Sequence, residues 1–367
     1  MYRFDKRVVI TLDAGGTNLV FSAMQSNEFI VDPITYPSAG NDLDKCLSTM
    51  VKGFQEVIDQ LKEKPVAISF AFPGPADYPN GIIGGYLPNF PSFRDGVALG
   101  PFLQKKFGLP VFINNDGDLF AYGEALAGAL PEINARIAAV GSNKVYKNLL
   151  GYTFGTGFGM GMVIDNKLNR GNNSAVETFC LRHKDRPDVF VEEGVAIRAI
   201  KRVYAEESGE PSHGLEPKDI YDIAEGKREG NREAALKAFE KFGEIAGDAI
   251  ATAVTLTDSL VVLGGGVCGS SKYFMPSLLA QLRGEIHSLT GEVLPRMPEK
   301  VFDLDNDDEF AQFAAGASRP IKVYGYDDTV IYDPMKRTGV IISKLGASKA
   351  ISLGAYAFAL SSLDENA

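Results

Sequence analysis

The sequence predicts an α/β fold in two lobes, and three observations carry that prediction. Short apolar runs alternate with helical patterns through the first 130 residues or so. A strand, glycine turn and strand near the N-terminus recur at about residue 149. A later apolar strand runs straight into Gly264-Gly265-Gly266. The chain has 367 residues, enough for two domains with a core each.

The first element is the β-branched run Val8-Val9-Ile10-Thr11-Leu12, which stops at Asp13. Ala14-Gly15-Gly16-Thr17-Asn18 then turns the chain, and Leu19 to Met24 resumes an apolar run, so a hairpin is expected. Leu43 to Leu61 carries apolar residues at helical spacing. Val66 to Phe72 reads as a buried strand stopped by Pro73-Gly74-Pro75. Val97 to Phe107 reads as a helix closed by Gly108, Val111-Phe112-Ile113 as a strand, and Leu119 to Leu130 as a helix followed by Pro131. The pattern restarts with strands at 149–154 and 162–167 around Gly155-Thr156-Gly157-Phe158-Gly159-Met160-Gly161. Helices are expected over 198–205 and 232–256, with exposed loops and a short helix between them. A strand at 259–263 and a helix at 272–282 follow. The tail predicts strands near 321–325, 326–332 and 338–343, then a terminal helix over 350–363. The lobes are expected to comprise residues 1–120 joined by 350–367, and 121–349.

Composition narrows the function. The chain is 45% hydrophobic and 23% charged, ordinary for a soluble protein. A net charge of -10 excludes nucleic acid as a partner through bulk electrostatics. No apolar run approaches the roughly 20 residues of a membrane span. The start, Met1 to Arg7, has no apolar stretch behind it that would read as a signal peptide. Cys46, Cys180 and Cys268 are scattered, which fits a reducing, cytoplasmic setting. His183, His213 and His287 lie far apart, so no structural zinc is expected.

Several residues could carry chemistry. Bare backbone at Gly15 and Gly16 lets N–H groups approach an anion, Thr17 adds a hydroxyl, and Asn18 follows. Asp13, at the strand end, is placed to hold a Mg²⁺ shell through water. Gly155, Thr156 and Gly157 repeat the pairing of glycine with threonine. Gly264, Gly265 and Gly266 suit either an adenosine surface or close strand–helix packing. Asn115-Asp116 sits between a strand and a helix, where ligands bind in α/β sheets. Asp116 is either a helix cap or a base that accepts a hydroxyl proton, and the two readings are compatible if Asn115 or Asp118 caps instead. Asn89 lies in a loop stiffened by proline, with a donor and an acceptor for a sugar hydroxyl, or in a plain surface loop. Glu177 follows the second glycine turn, where a lone glutamate is ordinarily a solvated one.

Taken in order, Asp13-Ala14-Gly15-Gly16-Thr17-Asn18, Pro73-Gly74-Pro75, Asn115-Asp116, Gly155-Thr156-Gly157-Phe158-Gly159, Glu177 and Gly264-Gly265-Gly266 resemble the motifs of ROK-family sugar kinases. These belong to the wider actin/hexokinase/Hsp70 ATPase class. The resemblance spans about residues 8 to 280 and returns in the terminal helix. It implies two ribonuclease-H-like lobes around a cleft and ATP- and Mg²⁺-dependent phosphorylation of a hexose, usually at C6, with glucose the default. It also implies a homodimer. By position, Asp116 resembles the catalytic base, and Asn89, Asn115 and Glu177 the sugar ligands, with a further glutamate represented by Glu192 or Glu193. Gly15, Gly16, Thr17, Gly155, Thr156 and Gly157 resemble the phosphate loops, Gly264 to Gly266 the adenosine loop, and Asp13 the metal-associated aspartate.

The chain departs from the pattern in two places, one of them the region of about residues 320 to 345, which is longer than in typical members. Many such proteins continue with Glu-x-Gly-His and then a Cys-x-Cys-Gly-x-x-Gly-Cys zinc site. Here Glu177-Thr178-Phe179-Cys180 puts cysteine where that histidine stands, and Leu181 to Pro187 brings no zinc cysteines. The departure leaves the acceptor sugar open. A repressor with an N-terminal helix-turn-helix is not expected, since the first glycine turn begins at Asp13. A non-catalytic sugar or nucleotide sensor is disfavoured by Asp116 and both glycine turns. Within the broader ATPase class, the lack of iron–sulfur cysteines disfavours an activator ATPase.

Overall fold

Two mixed sheets organise the chain in a computed structural model that describes residues 1–365 apart from Gly16 and His213. In chain order the first elements are β1 (Val9–Ala14), β2 (Asn18–Gln25), β3 (Glu28–Phe29), β4 (Ile34–Pro37), α1 (Leu43–Gln60), β5 (Ala67–Ala71), β6 (Ala76–Asp77), β7 (Ile82–Ile83), α2 (Leu99–Phe107), β8 (Val111–Asn114) and α3 (Asp116–Leu126). Next come α4 (Ala129–Ala139), β9 (Leu149–Phe154), β10 (Phe158–Ile164), β11 (Lys167–Leu168), β12 (Arg182–His183), β13 (Arg186–Phe190), α5 (Glu192–Val195), α6 (Ile197–Ser208), α7 (Pro217–Ala224) and α8 (Arg232–Thr257). The remainder is β14 (Leu260–Gly264), α9 (Ser271–Leu282), β15 (Glu285–His287), β16 (Val293–Pro295), β17 (Lys300–Asp303), α10 (Asp307–Ala315), β18 (Arg319–Lys322), β19 (Thr329–Tyr332), β20 (Arg337–Ile342) and α11 (Ala347–Glu365).

The chain forms two units. The first comprises Met1–Gly128, Gly161–Val176 and Lys344–Ala367, and the second Ala129–Met160 and Glu177–Ser343. The first unit thus runs through the end of α3 and includes 161–176, which the sequence reading had grouped with the second lobe.

In the first unit β1 pairs antiparallel with β2 and parallel with β5, and β5 pairs parallel with β8. The register aligns Asp13 with Ala71 and Ala71 with Asn114, one row at the C-terminal edge of three parallel strands. Both faces of this sheet are covered, which explains the near-continuous apolar runs. Ile10, Leu12, Phe21, Ile68 and Phe70 face α1 and α2 through Met50, Phe54, Val57 and Leu103. Val9, Met24 and Ala67 face α11 through Leu353, Tyr356 and Leu360. Phe54 stands edge-on to Phe21 at 5.1 Å and to Phe107 at 5.9 Å. The fully buried rings of Phe21 and Phe54 each contribute about 1.5–3 kcal/mol. Helices α3 and α11 cross at Gly123 and Gly354: a Cβ at either would lie 1.9 Å from a carbonyl oxygen of the other helix.

The second unit repeats the scheme. β14 pairs parallel with β9 and β20, and β17 with β20, while β10 lies on the other side of β9. Leu263 aligns with Tyr152 and Gly264 with Thr153, so the glycine turn after β9 and the triple glycine after β14 leave one sheet edge together. Helix α8 closes the core with α9, through Phe242 and Phe274 packed on Phe154 at 5.1 and 5.7 Å.

Some sequence expectations shift. The helix read as 119–130 begins at Asp116, because Asn115 caps it, and ends at Leu126. Pro131 does not follow a helix but lies in the first turn of α4, where a missing N–H costs nothing. The strands expected near 321–325 and 326–332 are β18 and β19, exposed along their length, with 323–328 as their turn. β20 instead lies buried in the sheet. The hairpins β12–β13 and β15–β16, the strand β17 and the short helix α5 carry too little periodicity to be read, whereas α4 (Leu130, Ile133, Ile137) and α10 (Phe310, Phe313, Ala314) keep a helical spacing that the sequence reading does not pick out.

Candidate functional site

The first unit collects its candidate residues where β1 and β8 end. Asp13, the penultimate residue of β1, is exposed, and Ser348 of α11 donates to its Oδ2 at 3.3 Å. Gly15, Thr17 and Asn18 are also exposed, and the Thr17 carbonyl is held by the Ser38 N–H at 2.9 Å. Gly16, the other glycine expected to bind phosphate, lies outside the described residues.

The cap question at Asn115-Asp116 has a clear outcome. Asn115 is the N-cap, its Oδ1 accepting the Gly117 N–H at 2.8 Å. Asp116 Oδ1 shares the same donor at 2.9 Å. The cap role thus falls to the asparagine, and the Asp116 carboxyl sits on the first turn of α3. Asp116 presents surface to solvent, yet protein hems in its carboxylate. Restricted hydration raises its pKa, the Gly117 and Asp116 N–H groups oppose the rise, and the charge of Asp13 adds to it. Behind it, Asp118 is buried and its pKa is pushed up to about 7 by desolvation, against the pull of Arg170.

Asn89 is exposed on a loop pinned from below. Leu87 and Phe90 on either side are buried, Phe90 packs on Phe72 at 4.7 Å, and Ser92 Oγ donates to the Gly40 carbonyl at 2.7 Å. A Cβ on Gly40 would meet the Asn89 carbonyl at 2.1 Å, so only glycine lets the two segments touch.

The second unit holds the other set. A Cβ on Gly155 or Gly266 would meet nothing within 4 Å, so both present bare backbone to open space. Gly265 is different: its φ of +93° and a Cβ that would lie 2.3 Å from the Phe154 carbonyl both demand glycine. Both sequence readings of the triple glycine therefore have a residue behind them, packing at Gly265 and open backbone at Gly266. Glu177 is half-buried and next to buried Thr178. Its charge reaches the buried Tyr152, whose pKa is raised chiefly by desolvation.

Glu192 is engaged within its own unit. Its Oε2 accepts the Phe158 N–H at 2.9 Å and its Oε1 pairs with Arg198 at 2.8 Å. Arg198 is a residue the sequence reading missed, because a lone arginine in a helix carries no local signal. Cys180 is exposed, and the residues after it form the hairpin β12–β13 with His183 buried. Among the described residues no group of three or more His, Cys, Asp or Glu could hold a metal ion, and no helix is long and apolar enough to cross a membrane.

Comparison with known proteins gives a consistent result. Residues 9–295 match the ROK family. The fold is similar to the crystal structure of a glucokinase from Parabacteroides distasonis ATCC 8503, with a TM-score of 0.90, 57% identity, and coverage of 98% of this chain and 99% of that one. The sequence is 26% identical over 276 residues to an N-acetyl-D-glucosamine kinase of Photobacterium profundum, covering 70% of this chain and 82% of the relative. It is 24% identical over 273 residues to an N-acetylgalactosamine kinase of Shewanella sp. (strain ANA-3), covering 70% and 80%. With the family matched over most of its length and the fold shared with a ROK glucokinase, the chain belongs to the ROK family, as a sugar kinase of the actin/hexokinase-type fold.

Proposed function

We propose that this chain transfers the γ-phosphoryl group of ATP to the C6 hydroxyl of a hexose, glucose first, with Asp116 as the base. The observation that carries this reading is the row Asp13–Ala71–Asn114, which brings Asp13 and Asp116 to one sheet edge. A carboxylate whose pKa is raised accepts a hydroxyl proton more readily than an ordinary one. Asn115 spends its Oδ1 on the helix cap, so the end it offers a sugar is its amide nitrogen. Asn89 and Glu177 are the other proposed sugar ligands; Glu192, the further candidate, has both oxygens engaged by the Phe158 N–H and Arg198 and is assigned to the second glycine turn instead.

The proposed phosphate loops are Gly15, Gly16 and Thr17, flanked by Asn18, and Gly155, Thr156 and Gly157, with the Thr17 and Thr156 hydroxyls as donors; the Gly155 N–H is spent on the Gly157 carbonyl at 3.2 Å and shapes the turn. Backbone N–H groups aimed at a transferring phosphoryl group stabilise its spread charge. Gly264, Gly265 and Gly266 are the proposed adenosine surface. For Mg²⁺, an exposed carboxylate whose charge already acts on a second one fits a hydrated divalent cation, so Asp13 would hold the ion through water. The ion supplies neutralisation of phosphate charge when bound.

The likeness to a glucokinase at 57% identity supports glucose. The N-acetylhexosamine kinases among its relatives make those sugars the main alternative. Coupled ADP release with Mg·ATP across glucose, mannose, fructose, N-acetylglucosamine and N-acetylgalactosamine tests the acceptor. The highest kcat/KM should fall on glucose, and Asp116→Asn should lower kcat by about 10²–10⁴-fold with folding retained. Sugar-dependent ADP release that is absent for every sugar, or near-normal turnover in the variant, would overturn the reading.

A further inference from the structure

The turn Gly155–Phe158 is held along its whole length by one short stretch of the second unit. The Gly155 carbonyl accepts the Ile197 N–H at 2.9 Å, the Thr156 carbonyl accepts from Arg198 Nη1 at 3.2 Å, and the Phe158 N–H donates to Glu192 Oε2 at 2.9 Å. A Cβ on Gly157, the remaining residue, would stand 2.8 Å from the same Glu192 oxygen, so the carboxylate would have to shift to admit one. Arg198 ties the holders together, reaching Glu192 Oε1 through Nη2 at 2.8 Å and Glu193 Oε1 through Nε at 2.7 Å. Arg202 secures the far side, its Nη2 donating to the Glu193 carbonyl at 2.6 Å.

The charges of this group matter as much as its geometry. Glu192 and Glu193 face Arg198 and Arg202, and the four sum to zero. A carboxylate bonded to a turn that takes phosphate would repel its ligand if left alone. Arg198 cancels that charge and its planar fork fixes two carboxylates and a carbonyl at once, which a lysine cannot do.

We propose that Arg198 and Glu192 form a clamp that shapes the Gly155–Phe158 turn for the nucleotide phosphates, with Arg198 acting as a positioning residue. The inference rests on the reading of that turn as a phosphate loop. It assigns Arg198 a role through the loop and gives Gly157 a reason to be glycine: its missing side chain is where the Glu192 carboxylate lies.

Geometry and charge agree on one variant and make opposite forecasts for the other, Glu192→Gln, which is what makes the clamp testable. Arg198→Met leaves an extra negative charge beside the turn, and Glu192→Gln leaves an extra positive one. If Arg198 acted only as a charge, Glu192→Gln would tighten nucleotide binding. If the clamp shapes the turn, both variants weaken it. The measurement is calorimetric titration of the full chain with Mg·ADP, alongside Tm and the KM values for ATP and sugar. We expect the Kd for Mg·ADP to rise about 10-fold in each, with Arg198→Lys only partly restoring it, and Tm little changed. Gly157→Ala should have no added effect in a Glu192→Ala background, because both remove the same contact. Tighter or unaltered binding in Glu192→Gln, or full rescue by lysine, would overturn the clamp. Amide exchange at Phe158 gives a readout without nucleotide: its protection should fall in both variants, and unchanged protection also overturns the clamp. Failure of the unmodified chain to bind Mg·ADP would instead overturn the phosphate-loop reading, with the exchange result still deciding the clamp.

Discussion

Arg170 donates a 2.7 Å hydrogen bond from Nη1 to Oδ1 of Asn114, the last residue of β8 and the neighbour of the helix cap Asn115. The Arg170 guanidinium also lies over the Phe358 ring at 5.1 Å and opposes the charge of Asp118. One arginine therefore anchors the strand end from which Asp116 is presented. Replacing it by methionine removes a charged hydrogen bond to a fully buried amide. Arg170→Met should destabilise the protein by about 1.5–3 kcal/mol in urea unfolding. An unchanged midpoint would mean that the strand end does not depend on it.

Asp118 gives the pH dependence. Its folded pKa of about 7 lies above the unfolded value, so the folded state binds the proton more tightly. Stability from this group is full below the unfolded pKa and is lost as pH rises to about 7. Asp118→Asn removes the titration. Its Tm relative to the unmodified protein should rise between pH 5 and pH 8 by about 2–4 °C. A difference in Tm that stays flat with pH would contradict the assignment.

Asn115 is asked to do two things, and substitution can separate them. Asn115→Ala should lose the cap at a cost of about 1 kcal/mol and also raise the sugar KM. Serine caps nearly as well but has no amide. Asn115→Ser should therefore keep stability within about 0.5 kcal/mol while the sugar KM rises as it does for alanine. A serine variant with normal KM would leave Asn115 as a cap alone.

The crossing of α3 and α11 tolerates no side chain at either glycine. Gly354→Ala forces a methyl group into the Leu119 backbone, since the added Cβ would lie 1.9 Å from its carbonyl oxygen. Chemical denaturation should show a loss of about 1–3 kcal/mol. Gly266→Ala is the control, because nothing lies within 4 Å of that Cβ, and its denaturation midpoint should not move.

What could be read from the sequence follows from where periodicity is strong. The strands β1, β5, β9 and β14 are largely apolar runs stopped by Asp, Pro or Gly, and each lies within about two residues of its expected place. The split of 119–130 at Gly128 was hidden, because Leu126, Ala129 and Leu130 continue the apolar pattern across the break. The hairpin β12–β13 was hidden for a different reason: Arg182, Arg186 and Asp188 are exposed and carry no alternation. At the site, Asn115-Asp116 announced itself through its place between strand and helix. Arg198 could not, because its meaning comes from Thr156 and Glu192, 42 and 6 positions away.

The first unit takes three separate stretches of the chain, the last of them α11. Residues Leu353, Tyr356 and Leu360 close the face of a sheet whose first strand begins at Val9. On the ribosome, then, the earliest strands emerge with one apolar face bare and wait for more than 300 residues before their cover is made. The second unit has a shorter wait, since its sheet, begun at Leu149, and its long helix α8 are complete by residue 343. The unit that begins first is the one that finishes last, and a ribosome stalled just before α11 holds the first sheet unfinished.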